Sequence, residues 1–299
     1  MTLTRRRFFT LASAAWLMAG APAQAYRWQG TALGAKAQII LDHPKAEQIT
    51  ARVMGELSRL EQVFSLYRPT SDLSRLNAAG RLDAPAFELL DCLSLARHIH
   101  RLTQGRFDPT VQVLWQVLAR AAIAGQAPDA AALAQARGAI GFDRVQFDAG
   151  AVRLGRGQAL TLNGIAQGYI ADRIAALMAQ EGITDVLIDT GEITAMGRAA
   201  GHDGWPVSIT QEPQKRLLQN RALATSAIMG SLIGAGQGHI LDPRSAKIAA
   251  TGAKQVSVSA DSAGLADGLS TALSLTRSRA EAAQLLSNVK ESRIESYIA

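Results

Sequence analysis

Four short stretches of this 299-residue chain hold the residues that can do chemistry. Ala266-Asp267-Gly268-Leu269-Ser270-Thr271 sets a carboxylate and a hydroxyl four residues apart, so on a helix Asp267 and Thr271 share one face. An Asp with one neutral oxygen is a poor cage for calcium but a suitable partial site for Mg²⁺, which keeps positions for water and substrate phosphates. The same spacing also describes an ordinary solvated helix face. Leu160-Thr161-Leu162-Asn163-Gly164-Ile165-Ala166-Gln167-Gly168-Tyr169 reads as a strand end, a turn and a helix start. That arrangement either aims backbone amides at a phosphate or simply lets a strand meet a helix. Its glycine spacing fits neither the P-loop nor the dinucleotide fingerprint. Gly105-Arg106-Phe107-Asp108-Pro109-Thr110 places Asp108 where it can cap a following helix. Gly238-His239-Ile240-Leu241-Asp242-Pro243-Arg244 sets one His and one Asp beside a proline turn, and a lone His serves structure as readily as catalysis. No Ser-His-Asp order, zinc-ligand spacing or Cys-x-x-Cys pair occurs, so covalent hydrolases and zinc enzymes find no support.

The elements that must position these residues follow from periodicity. Val53, Leu57, Leu60 and Val63 predict a helix over 45–64, preceded by an alternating strand over 36–41. The segment 64–77 is short and polar, and helices follow over 84–103, after Pro109 with Val111, Leu114 and Trp115 on one face, and after Pro128. From Arg144 the pattern turns to short β-like runs at 145–147, 152–154 and 159–162, then a helix over 165–180. Strands are expected at 186–188, 205–209, 223–225, 255–259 and 294–298, with a helix over 262–276. Helices first and strands later, without repeats or a linker, predict one mixed α/β domain.

Composition is that of a globular protein, with 48% hydrophobic and 19% charged residues; at 5%, aromatics leave the core to aliphatic side chains. Residues 1–25 read as a cleaved leader: Thr4-Arg5-Arg6-Arg7-Phe8-Phe9 resembles a twin-arginine signal, an Ala/Leu run follows, and Ala23-Gln24-Ala25 suits a signal peptidase. The apolar run is shorter than the ~20 residues of a membrane span, so no stable membrane anchor is expected. Loss of three arginines takes the formal charge from +6 to about +3, too weak a balance to indicate nucleic acid. The mature chain, 26–299, is expected to be periplasmic. Its one cysteine, Cys92, lies in a helical apolar pattern and is expected to be a buried structural thiol.

Each stretch alone is modest, but their order along the chain is distinctive. Phe64-Ser65-Leu66-Tyr67-Arg68-Pro69-Thr70-Ser71-Asp72-Leu73-Ser74-Arg75-Leu76-Asn77 resembles the "FS-Y-P-SE-LSRLN" segment of the FAD:protein FMN transferase (ApbE-like) family. Gly105 to Thr110 is similar to that family's "G-FDPT", Leu160 to Asp172 to its "DLGGIAKGY--D", and Asp189-Thr190-Gly191-Glu192-Ile193 to its "N-GGD" turn. Ala224-Thr225-Ser226, His239 to Arg244 and Ala266 to Thr271 complete a series spanning about residues 30 to 275. The resemblance implies a T-fold-like flavin transferase architecture in a single domain. It also implies a Mg²⁺ site made by Asp267, Thr271 and a backbone carbonyl placed at Gly164. Tyr67, Arg106, Phe107, Asp108, Gln167, His239 and Ile240 fall where the family contacts FAD, and Leu33 matches a methionine near the flavin. Two positions depart from the family: the Asp opening "DLGG" is Thr161 here, and the lysine is Gln167. A hydroxyl at 161 can still make one hydrogen bond to the cofactor, whereas Gln167 removes a positive charge near phosphates.

The activity so implied is transfer of FMN from FAD to a Ser or Thr hydroxyl of an acceptor protein, with AMP released. The expected acceptor is a membrane-bound electron-transfer subunit carrying a Ser/Thr motif. Asp267 is the expected catalytic centre through its metal. His239, or a group held at the metal, is expected to take the hydroxyl proton ahead of Asp108. Two alternatives stand beside this reading: an FAD pyrophosphatase giving FMN and AMP, and a degenerate FAD-binding assembly protein.

Overall fold

The computed structural model describes residues 15–16, 26–32, 35–230, 232–233, 237–249 and 252–299. Its frame is a seven-stranded antiparallel sheet of β1 Tyr26–Ala32, β2 Ala35–Leu41, β3 Val186–Asp189, β4 Ile193–Met196, β5 Arg221–Ala227, β6 Gln255–Ala260 and β7 Arg293–Ile298. The strands lie side by side in chain order from β1 to β7. The helices over residues 46–180 are therefore an insertion between two neighbouring strands, β2 and β3, rather than a separate leading block, and two further helices connect β6 to β7. Of the expected leader only Ala15–Trp16 is described, paired antiparallel with Ile209 and Ser208, and the rest lies outside the described residues.

Alternation along the strands divides the interior in two, as a period of two requires. Ile39, Val186, Ile188, Val256 and Val258 point into the large core shared with the helices. Ile40, Leu187, Ile193, Ala195 and Leu223 point the other way, under a hairpin of Trp205–Ile209 and Arg216–Leu218. On the helical side lie α1 Ala46–Phe64, α2 Asp72–Ala79, α3 Phe87–Leu102, α4 Gln112–Ala124, α5 Ala130–Ala139, α6 Ala166–Gln180, α7 Ala263–Leu273 and α8 Arg279–Leu286. The spacing that predicts α1 buries Val53, Leu57, Leu60 and Val63 as expected. Cys92 on α3 is fully buried, and desolvation pushes its thiol well above the usual range. Among the described residues no helix is long and apolar enough to cross a membrane.

Helices α6 and α7 meet at small residues. A Cβ at Gly168 of α6 would collide with the Ala263 carbonyl oxygen at the start of α7. Gly264 and Gly268 of α7 lie against Leu95 and Ile99 of α3 in the same way. Asp172 of α6 then accepts hydrogen bonds from the Ala263 and Gly264 amides at 2.7 and 2.8 Å, fixing the register of the crossing. Glycine inside a helix costs about 0.5–1 kcal/mol relative to alanine, and at Gly168 it is tolerated because the two backbones touch.

Gly168→Ala should therefore lower unfolding stability by about 1–3 kcal/mol through overpacking. Gly55, exposed on α1 with no neighbour within 4 Å of a Cβ, is the control. Gly55→Ala should be neutral or raise stability by up to about 1 kcal/mol, and urea denaturation of both variants measures the contrast.

Candidate active site

One cavity of about 340 Å³ opens where the α6–α7 crossing meets the β3–β4 turn, β5 and the start of α4. At its base lie Asp267, 3% exposed, and Thr271 on the same face of α7. The Asp267 Oδ2 accepts the Gly168 amide at 3.2 Å, so the close crossing that needs glycine also delivers a donor to the carboxylate. Gly164, in the turn before α6, faces Thr271: a Cβ there would sit 2.9 Å from Thr271 Oγ1. Glycine thus keeps open a cradle between the turn and α7. Among the described residues no cluster of three or more His, Cys, Asp or Glu is set for a metal. A cation in this cradle would draw on one carboxylate with hydroxyl and carbonyl oxygens, a hard donor set that fits Mg²⁺.

A second acid stands close by. Glu192 is buried on the cavity wall and its Oε2 accepts the Thr225 amide at 3.1 Å. Desolvation pushes the Asp267 carboxyl up, with the Gly168 hydrogen bond opposing and the Asp172 charge adding. Desolvation pushes the Glu192 carboxyl up as well, with the Asp267 charge adding. Asp172 and Asp189 rise to about 6 from burial, although backbone donors offset part of it. Sequence reading placed Glu192 in a turn but gave it no role. Its proximity to Asp267 arises only when the β3–β4 turn is laid beside α7.

That turn is braced by Gln167. Its Nε2 donates to the Thr190 carbonyl at 3.4 Å, and the Thr190 hydroxyl donates to the Gln167 carbonyl at 3.5 Å. Gly191 has φ +106, a conformation that favours glycine, and a Cβ there would lie 2.7 Å from Gln167 Nε2 and displace that amide. The family's lysine is thus replaced by a buried neutral side chain engaged with backbone.

The 64–77 segment is a scaffold for the opposite wall. The Ser65 carbonyl accepts the Ser71 and Ser74 hydroxyls at 2.5 and 2.9 Å, while Ser65 Oγ accepts the Tyr67 and Arg68 amides at 3.0 and 3.1 Å. This knot presents the Tyr67 ring, 61% exposed, at the cavity mouth. Asn77 then clamps Leu160, donating to its carbonyl at 2.8 Å and accepting from its amide at 2.7 Å. Thr161 follows on the cavity wall; its amide donates to the Pro109 carbonyl at 2.9 Å and its Oγ1 accepts the Asn163 amide at 3.3 Å.

Arg106 is buried and ion-paired with Glu281 of α8 at 2.6 Å. Asp108 caps the 109–111 turn, accepting the Thr110 amide at 2.8 Å, the Thr110 hydroxyl at 2.5 Å and the Phe142 amide at 3.1 Å. Phe107 is buried between them. His239 is half-buried on the far wall, and Ile240 beside it packs with Ile228, Ala249 and Leu275. Tyr67, Arg106, Phe107, Asp108, Thr161, Gly164, Gln167, His239, Ile240, Asp267 and Thr271 therefore line one cavity. Leu33 lies outside the described residues. Trp115, Thr225, Ser226 and Glu192 also line it, and sequence reasoning had assigned them no part.

The model of the ApbE family matches residues 30–298, and the chain belongs to that family. A protein of Treponema pallidum named FAD:protein FMN transferase is 30% identical over 275 residues, 79% of this chain and 74% of the relative. One of the same name from Klebsiella pneumoniae is 29% identical over 256 residues, 78% of this chain and 72% of the relative. The fold is shared with the crystal structure of the ApbE protein of Thermotoga maritima, at 23% identity and TM-score 0.79, covering 91% of this chain and 93% of that one.

The raised carboxyls make a stability prediction. Asp172 and Asp189, with Asp267 and Glu192 shifted the same way, hold protons more tightly folded than unfolded. Their contribution is full below the ordinary carboxylate range near 4 and is lost as pH rises through about 6 and above. Thermal unfolding of metal-free protein should show this decline between pH 4.5 and about 7.5, and Asp267→Asn should flatten it.

Proposed function

We propose that this chain is a Mg²⁺-dependent FAD:protein FMN transferase acting on a Ser or Thr hydroxyl of an acceptor protein. The observation that carries this is convergence: every described residue that the family resemblance assigns to metal or FAD lines the same cavity, though the residues come from segments far apart in sequence. The names of the curated relatives support the reaction class. Asp267, Thr271 and the Gly164 carbonyl would hold Mg²⁺, which would supply charge neutralisation at the FAD pyrophosphate.

The protein's own groups divide the remaining work. Tyr67 at the mouth and Phe107, Ile240 and Trp115 in the walls offer apolar faces to flavin and adenine rings. Arg106 keeps a positive charge in the wall, oriented by Glu281. The acceptor hydroxyl oxygen bonds to the FMN-side phosphorus as the bond from that phosphorus to the bridging oxygen breaks, and AMP leaves with that oxygen. An imidazole nitrogen of His239 takes the hydroxyl proton. Asp108, with its oxygens engaged by Thr110 and the Phe142 amide, is a positioning group and not the base. Thr161 offers FAD one hydroxyl where relatives of the resembling block carry an acid. The leader at 1–25 and the domain at 26–299 fit an exported, periplasmic enzyme whose acceptor is a membrane-bound electron-transfer subunit.

Incubating mature protein with FAD, Mg²⁺ and an acceptor fragment should add an FMN-sized mass to the fragment. Free FMN with unlabelled fragment would identify a pyrophosphatase, and unchanged FAD a binding protein. Asp267→Ala should reduce transfer by more than about 100-fold, beyond the loss usual for groups that only support a ligand.

A further inference from the structure

Three hydroxyls and one carbonyl form a chain behind the candidate metal cradle. Ser270 Oγ, fully buried on α7, lies 3.0 Å from the Asp267 backbone carbonyl. Ser226 Oγ, on β5, lies 2.7 Å from Ser270 Oγ and 3.2 Å from Thr271 Oγ1. Each hydroxyl has one hydrogen to donate. A carbonyl only accepts, so the first contact uses the Ser270 hydrogen. The Ser226–Ser270 contact must then use the Ser226 hydrogen, and the Ser226–Thr271 contact must use that of Thr271. With all three contacts made, one arrangement of protons is possible. It leaves the Thr271 oxygen with its hydrogen turned toward Ser226 and lone pairs to spare.

Resting on the metal reading above, we infer that Ser226 is a positioning residue that fixes the Thr271 hydroxyl as an acceptor, so that it meets a divalent cation with lone pairs and cannot turn its hydrogen into the cradle. Ser270 sets the direction of the chain by anchoring it to a carbonyl. The chain also ties β5 to α7 beside Asp267, so the sheet fixes the angle at which the threonine faces the Gly164 turn. Without the Ser226 acceptor, the Thr271 hydrogen is free to rotate toward the cation and cancel the ligand.

Calorimetric titration of Mg²⁺ into FAD-loaded protein tests this. Ser226→Ala should weaken Mg²⁺ binding by about 10-fold, in the range for removal of a group that orients a ligand, while Ser226→Thr, which keeps the hydroxyl, restores it. In a Thr271→Val background the same Ser226→Ala change should have no further effect, because the hydroxyl it orients is gone. The unfolding temperature without metal, measured for each variant, separates loss of binding from loss of fold. Equal Mg²⁺ affinity in wild type and Ser226→Ala, or an undiminished effect of Ser226→Ala in the Thr271→Val background, overturns the inference. Mg²⁺ binding that survives Asp267→Ala, or is missing in wild type, overturns the metal reading itself and the inference with it.

Discussion

The structure depends on one buried contact, the Gly168 amide against the Asp267 carboxylate at the crossing of α6 and α7. A carboxylate removed from water needs donors or a counter-charge, and among the described residues the Gly168 amide is the hydrogen-bond donor that reaches it. That bond exists because Gly168 has no side chain and α7 begins with Ala263 and Gly264, which let the two backbones touch. Asp172 fixes the register by accepting both leading amides of α7. The fold thus holds a buried acid at the base of a cavity, a state that a divalent cation would relieve.

Around that acid the walls are built to keep other groups still. Gln167 holds the turn that carries Glu192, Asn77 holds the segment that carries Thr161, and Glu281 holds Arg106. Asp108 serves as a cap within the same wall. Much of what the family motifs specify is therefore support: serines and an asparagine satisfying backbone groups near the cavity, with fewer side chains left to meet a ligand. Phosphoryl-type transfer depends chiefly on positioning and charge, so a rigid surround of this kind suits it.

Parts of this were legible in the sequence and parts were not. Helix α1 was readable because one strongly amphipathic face packs on the core. The 64–77 segment read as a polar connection, yet Asp72–Ala79 is a helix, capped by Ser71 and buried through Leu73 and Leu76. Residues 159–162 read as a strand, but no strand forms there; the Asn77 side chain pairs with the Leu160 backbone instead. Strands β1 and β4 and helix α8 were missed, the helix having only Ala282 and Leu286 buried. The spacing of Asp267 and Thr271 allowed a shared face but did not distinguish a cradle from a solvated surface. Glu192 and Ser226 were invisible as site residues because their importance comes from neighbours 75 and 45 positions away in the folded chain, Asp267 and Thr271.

The central claim is that the Asp267 cradle holds a divalent cation. Anomalous diffraction from crystals soaked in Mn²⁺ and FAD measures it most directly. A peak in contact with the Asp267 carboxylate, the Thr271 hydroxyl and the Gly164 carbonyl, lost in Asp267→Asn, is the expected result. A peak elsewhere in the cavity, or none in crystals whose cavity contains FAD, would contradict it.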